Sequence, residues 1–157
     1  MATEAQIVLQ DERGGRIWLK VPRNGQPEYL VPLLARAYGE HGADWDCGRV
    51  GPAAALLVWA GFTAQSDGQG PVWYYARIQP HQGRLAPTVT WLYHIRLSNV
   101  YDAADPVAQN RCRWHVRVAY RPLLAPPRVR AFVTECAGDI ATVAQHYAAP
   151  HGVDTPI

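Results

Sequence analysis

The sequence predicts an α+β domain: an antiparallel sheet of four to six strands with two or three short helices packed on one of its faces. Two observations carry this. Residues 111–121 alternate with period two, as do 72–79 and 89–98, whereas residues 29–40 earlier in the chain repeat apolar groups at helical spacing. A chain of 157 residues with 48% hydrophobic and 18% charged positions has the size and composition of one folded domain, expected over 1–150 with a loose tail at 151–157.

In chain order, residues 7–10 and 16–21 are short β-like runs around Asp11-Glu12-Arg13-Gly14-Gly15, whose glycines supply the positive φ of a tight turn, so an N-terminal hairpin is expected. Past Pro22, Asn24, Gly25 and Pro27, the spacing of Leu30, Leu33, Leu34, Ala37 and Tyr38 predicts a helix over 29–40, with Pro32 placed in its first turn. Gly51-Pro52 and Gly61 frame a second helix over 53–62, apolar nearly all round and therefore expected to be buried. Strands follow at 72–79, 89–98, 111–121 and 129–136, and Asp139 caps a last helix running to about residue 147.

Charge is segregated along the chain. Residues 70–134 hold nine Arg against two Asp, residues 1–69 hold six basic groups against eight acidic ones, and residues 135–157 hold three acids and no Lys or Arg, for a net charge of +2. The alternation places Trp91, Tyr93, Ile95 and Leu97 with Trp114, Val116, Val118 and Tyr120 on the face under the helices. The opposite face collects Trp73, Tyr75, Arg77, His94, Arg96, Arg113, His115 and Arg117.

Aromatic and cationic groups interleaved on a sheet face can stack bases and contact phosphates, so these eight residues are the predicted binding set. The expected function is that of a small non-enzymatic binding protein for an anionic partner, nucleic acid first and an acidic protein surface second. Self-association is a further expectation, acidic flanks of one copy against the basic sheet of another. A structural or inhibitory subunit of a phage or mobile-element assembly is an alternative of another class.

A second alternative centres on Asp44-Trp45-Asp46-Cys47-Gly48-Arg49, because a thiolate near a helix N-terminus is stabilised by the helix dipole and a His on a facing strand could activate it. The order of Cys47, apolar helix and His94 on a strand resembles the papain-like cell-wall peptidases, in which an Asp-Cys pair opens a helix beside an antiparallel sheet. The resemblance rests on Asp46-Cys47 and the later His. It implies a hydrolase or transferase with Cys47 as nucleophile and His94 as base, although Gly48 stands where that pattern has Ser and Pro52 sets the helix start beyond the thiol.

The remaining chemistry is sparse. The six His residues are dispersed without a ligand spacing, so no metal is predicted; Gly48-Arg49-Val50-Gly51 lacks the rest of a phosphate loop, so no nucleotide cofactor is predicted either. Cys47, Cys112 and Cys136 form no close pair and are expected as reduced thiols. Residues 1–25 lack the apolar core of a signal peptide, and the apolar run 53–60 is too short to span a bilayer, from which no membrane association and a cytoplasmic location are expected.

Overall fold

The structure is a computed structural model that describes residues 3–66, 78–83, 85–86, 88–100, 104, 111–122 and 131–153. Its elements are β1 (Ala5–Gln10), β2 (Arg16–Val21), α1 (Pro27–Ala37), α2 (Val50–Ser66), β3 (Gln79–His81), β4 (Trp91–Val100), β5 (Arg111–Tyr120), β6 (Val133–Asp139) and α3 (Ile140–Val153). They form an α+β fold with a sheet in the order β3-β2-β1-β4-β5-β6 and helices on one face.

The sheet is mixed, which corrects the expectation of an antiparallel one. β1 runs parallel to β4, with Ala5 opposite Trp91 and Gln10 opposite Arg96, while every other neighbouring pair is antiparallel. The physical reason is the long connection: the chain leaves β2, builds α1 and α2, returns as β3 at the far edge, and then crosses the sheet to lay β4 beside β1. Parallel neighbours require a crossover of this kind.

The hairpin between β1 and β2 is built as the sequence predicts. Gly14 takes φ +82, and the Asp11 carboxylate accepts the N–H groups of Arg13 (3.0 Å) and Gly15 (2.8 Å). The same carboxylate accepts the Val50 N–H at 3.3 Å, tying the turn to the start of α2.

α1 starts at Pro27, earlier than the spacing suggested, so Pro32 lies inside the helix rather than in its first turn. Its missing N–H is tolerated because Leu30, Val31, Leu33, Leu34 and Ala37 are buried on the core side and outweigh one backbone bond. A single π-helical turn (Tyr38–Gly42) and a 3-10 turn (Trp45–Gly48) then lead to α2. The Tyr38 hydroxyl and the Ala43 carbonyl clamp these turns to the Cys112 backbone, donating to its carbonyl at 2.8 Å and accepting its N–H at 2.9 Å respectively.

α2 is longer than predicted and only half covered. Ala53, Leu57 and Ala60 face the core, but Trp59 is 51% exposed and Phe62 67% exposed, which corrects the expectation of an all-round buried helix. α3 begins directly after β6, where Asp139 accepts the Thr142 N–H at 2.8 Å as the predicted cap, and continues through Val153, past the point where the sequence placed its end. No helix among the described residues is long and apolar enough to cross a membrane.

The core lies between the helices and the inner sheet face. Ile7 and Leu9 of β1, Leu19 and Val21 of β2, Tyr93, Ile95 and Leu97 of β4, and Trp114, Val116 and Val118 of β5 are buried there with Leu30, Leu34 and Leu57. The alternation in β4 and β5 thus assigns the inner face correctly. Of the strand predicted over 72–79, residues 72–77 lie outside the described residues, and β3 covers Gln79–His81.

Candidate functional site

The outer sheet face is organised in cross-strand rows. One row runs Arg16, Gln10, Arg96, His115 and Asp139 from β2 to β6; the next runs Trp18, Val8, His94, Arg117 and Ala137. A third pairs Ser98 with Arg113. Directly opposite residues on adjacent strands stand roughly 5 Å apart at Cβ, and alternate residues along a strand about 6.8 Å.

Of the predicted set, the structure places His94, Arg96, Arg113, His115 and Arg117 together on β4 and β5. Arg96, Arg113, His115 and Arg117 are exposed and His94 is half-buried. Trp73, Tyr75 and Arg77 lie outside the described residues. His94 pairs with Arg117 and Arg96 with His115, so the four form a square in which guanidinium and imidazole alternate. Among the described residues no carboxylate lies within ion-pair distance of Arg96, Arg113 or Arg117, and the ion pair found there, Arg36 with Glu40, is on α1 and the turn after it.

The electrostatics of the square register at His94. Burial first, then Arg117, Arg16, Arg96 and His115, holds its imidazole below the ordinary histidine pKa, so the ring is neutral at physiological pH. The ring is oriented by Gln10, whose Oε1 lies 3.0 Å from His94 Nε2. With Oε1 as the acceptor, Nε2 carries the proton.

The outer face is not equally open along its width. The link from β3 to β4 lies against the β1–β2 half: Gly83, at φ +66, comes against the Trp18 ring, the Ala86 N–H donates to Gln6 Oε1 at 3.2 Å, and the Thr88 hydroxyl donates to the Glu4 carboxylate at 2.8 Å. Gln6 and Val8, although on this face, are buried. Beside the square a shallow cleft of about 340 Å³ opens, lined by Gln10, Asp11, Glu12, Arg96, Leu97, Ser98 and His115. The sequence reading missed Gln10, Asp11, Glu12 and Ser98. The signal was two consecutive acids beside a paired-glycine turn, which reads as turn chemistry alone until the register brings that turn alongside Ser98 and Asn99.

Cys47 is elsewhere. It sits in the 3-10 turn, ahead of α2, on the core side of the sheet, where its carbonyl faces the Cys112 thiol at 3.1 Å. Burial, reinforced by Asp44 and Asp46, pushes its thiol pKa up, opposite to what a nucleophile needs. His94 points to the other side of the sheet, and the structure does not bring the two together. Among the described residues no group of three or more His, Cys, Asp or Glu side chains is placed to hold a metal ion.

No protein family, curated protein or solved structure matches the chain.

Proposed function

We propose that this is a non-enzymatic binding protein whose β4–β5 outer face engages an anionic partner, nucleic acid in preference to an acidic protein surface. The observation that carries this reading is the ladder of Arg113, His115 and Arg117 on β5 with Arg96 alongside on β4: all four are exposed, Asp139 of β6 stands opposite His115, and among the described residues no carboxylate lies within ion-pair distance of the three Arg side chains. A sheet face needs polar groups toward water, but a mixed-charge surface would serve that purpose. Guanidinium groups in a row present planar forks suited to phosphate oxygens and repel one another until an anion joins them.

The step of about 6.8 Å between alternate residues on a strand gives Arg113, His115 and Arg117 the reach to contact successive phosphates of an extended backbone. Contacts of this kind bring affinity that falls steeply with salt.

The test is fluorescence anisotropy of labelled single-stranded and duplex oligonucleotides across a salt series, with the native protein and with Arg113→Glu/Arg117→Glu. Salt-sensitive binding that the double substitution abolishes, in a protein whose thermal unfolding is unchanged, supports the reading. Absence of binding at low salt redirects it to an acidic protein partner, and binding that survives both substitutions overturns this face as the site.

A further inference from the structure

The cleft beside the square carries charge of opposite sign at its two ends. Arg96 and His115 form one wall and belong also to the Arg–His square. Asp11 and Glu12 form the other. Asp11 is consumed by the turn, its two carboxylate oxygens accepting the N–H groups of Arg13, Gly15 and Val50. Glu12 is exposed, and its Oε1 accepts the Asn99 N–H at 3.2 Å, which holds the carboxylate at the β4 end of the cleft. Ser98 lies between the two ends with its side chain on the outer face.

A ligand that satisfies both ends has an anionic group and, a few ångströms away, hydroxyl donors. An anion alone would meet Glu12 as repulsion, and a polycationic or apolar ligand would meet Arg96 unfavourably. A nucleotide unit of RNA has this shape, with a phosphate at one side of the sugar and a 2′-hydroxyl that can donate to a carboxylate; DNA lacks that donor. The volume is at the lower end of small-ligand sites, enough for one sugar and its substituents.

We infer that the cleft formed by Arg96, His115, Ser98 and Glu12 is a ribose-reading subsite, which makes the partner single-stranded RNA rather than DNA. This rests on the reading of the β4–β5 face as a nucleic-acid surface. Arg96, His115 and their neighbours in the square hold the phosphate, and Glu12 accepts the 2′-hydroxyl. A hydrogen bond to a charged acceptor corresponds to an affinity ratio of about tenfold between the two sugars.

The experiment compares one oligonucleotide sequence, made as RNA and as DNA, by anisotropy at low salt against the native protein, Glu12→Ala and Ser98→Trp. The readout is the RNA-to-DNA affinity ratio, because removing the Glu12 charge shifts both affinities alike. A ratio of about ten in the native protein that falls to about one when the carboxylate is removed and when the cleft is filled is the expected result. A native ratio of one, or a ratio that both substitutions leave intact, overturns the subsite while leaving the anion-binding face standing. Failure of both oligonucleotides to bind the native protein overturns the nucleic-acid reading of the face and the subsite together.

Discussion

The Tyr93 hydroxyl donates to the Gly25 carbonyl at 2.6 Å inside the core, joining the first part of β4 to the turn that precedes α1. Tyr93 is fully buried, and burial raises its phenol pKa well above the ordinary value, so it is a neutral donor at neutral pH. Tyr93→Phe keeps the ring and leaves a buried carbonyl without this donor. The expected cost is about 1–3 kcal/mol, read as a lower denaturation midpoint with unchanged m-value in urea.

Gly25 is constrained from its other side as well. A Cβ there would lie 2.5 Å from the Ala5 Cβ and 2.9 Å from the Ala5 backbone nitrogen. Gly25→Ala must displace the start of β1, and the expected loss is roughly 1–3 kcal/mol, measurable in the same denaturation experiment.

Lowering the pH should weaken the fold through His94. The native state holds its imidazole below the unfolded value of about 6.5, so the unfolded chain takes up the proton first. The neutral ring's contribution is complete above pH 6.5 and is lost as pH falls from there through the folded pKa. Stability measured between pH 7.5 and 5 should decline less steeply in His94→Gln, and an NMR titration should find the native His94 midpoint below 6.5. Phosphate bound at the square would offset the surrounding guanidinium charge and move that midpoint upward.

At the junction of β6 and α3, Asp139 is held below the ordinary carboxylate range chiefly by the Thr142 N–H. The depressed carboxyl contributes stability above the unfolded pKa and loses it as pH falls through the folded one. Asp139→Ala should therefore lower the melting temperature at neutral pH, with the difference from the native protein closing in acid, a pattern visible in calorimetry at a series of pH values.

The three thiols should differ in access. Cys112 is fully buried with its pKa pushed up to about 12, mainly by burial, and Cys47 is buried with its pKa raised. Cys136 is partly exposed. Iodoacetamide at pH 8 should modify Cys136 first and reach Cys47 and Cys112 only on denaturation, as read by peptide mass spectrometry. Rapid labelling of Cys47 at pH 6.5 would instead speak for the thiol chemistry that its position argues against.

Face assignment was legible in the sequence because a strand's period is two and apolar side chains must meet the helices. Cys112 to Val118 and Tyr93 to Leu97 alternate without a break, and each lands where the alternation sends it. Neighbour assignment was not legible: period two says which side a residue faces but not which strand lies beside it, so the parallel pairing of Val8 with His94 had no local signal. β1 illustrates the limit. Gln6 and Val8 belong to the outer face yet are buried, because the link from β3 to β4 lies against that half, a tertiary fact invisible to a local pattern. Pairing Arg96 with His115 likewise needs register, although the alternation gives each residue its face.

The parallel pairing of β1 with β4 also bears on the order in which the chain can fold. Ala5 pairs with Trp91 across a stretch of chain that holds both intervening helices and β3, and β5 and β6 lie beyond β4. Closing so distant a contact carries a loop-closure cost that local hairpins avoid, and it slows folding. During synthesis the β1 edge of the hairpin stays uncovered until β4 emerges, so the strand that bears His94 and Arg96 is also the one that joins the N-terminal hairpin to β5 and β6.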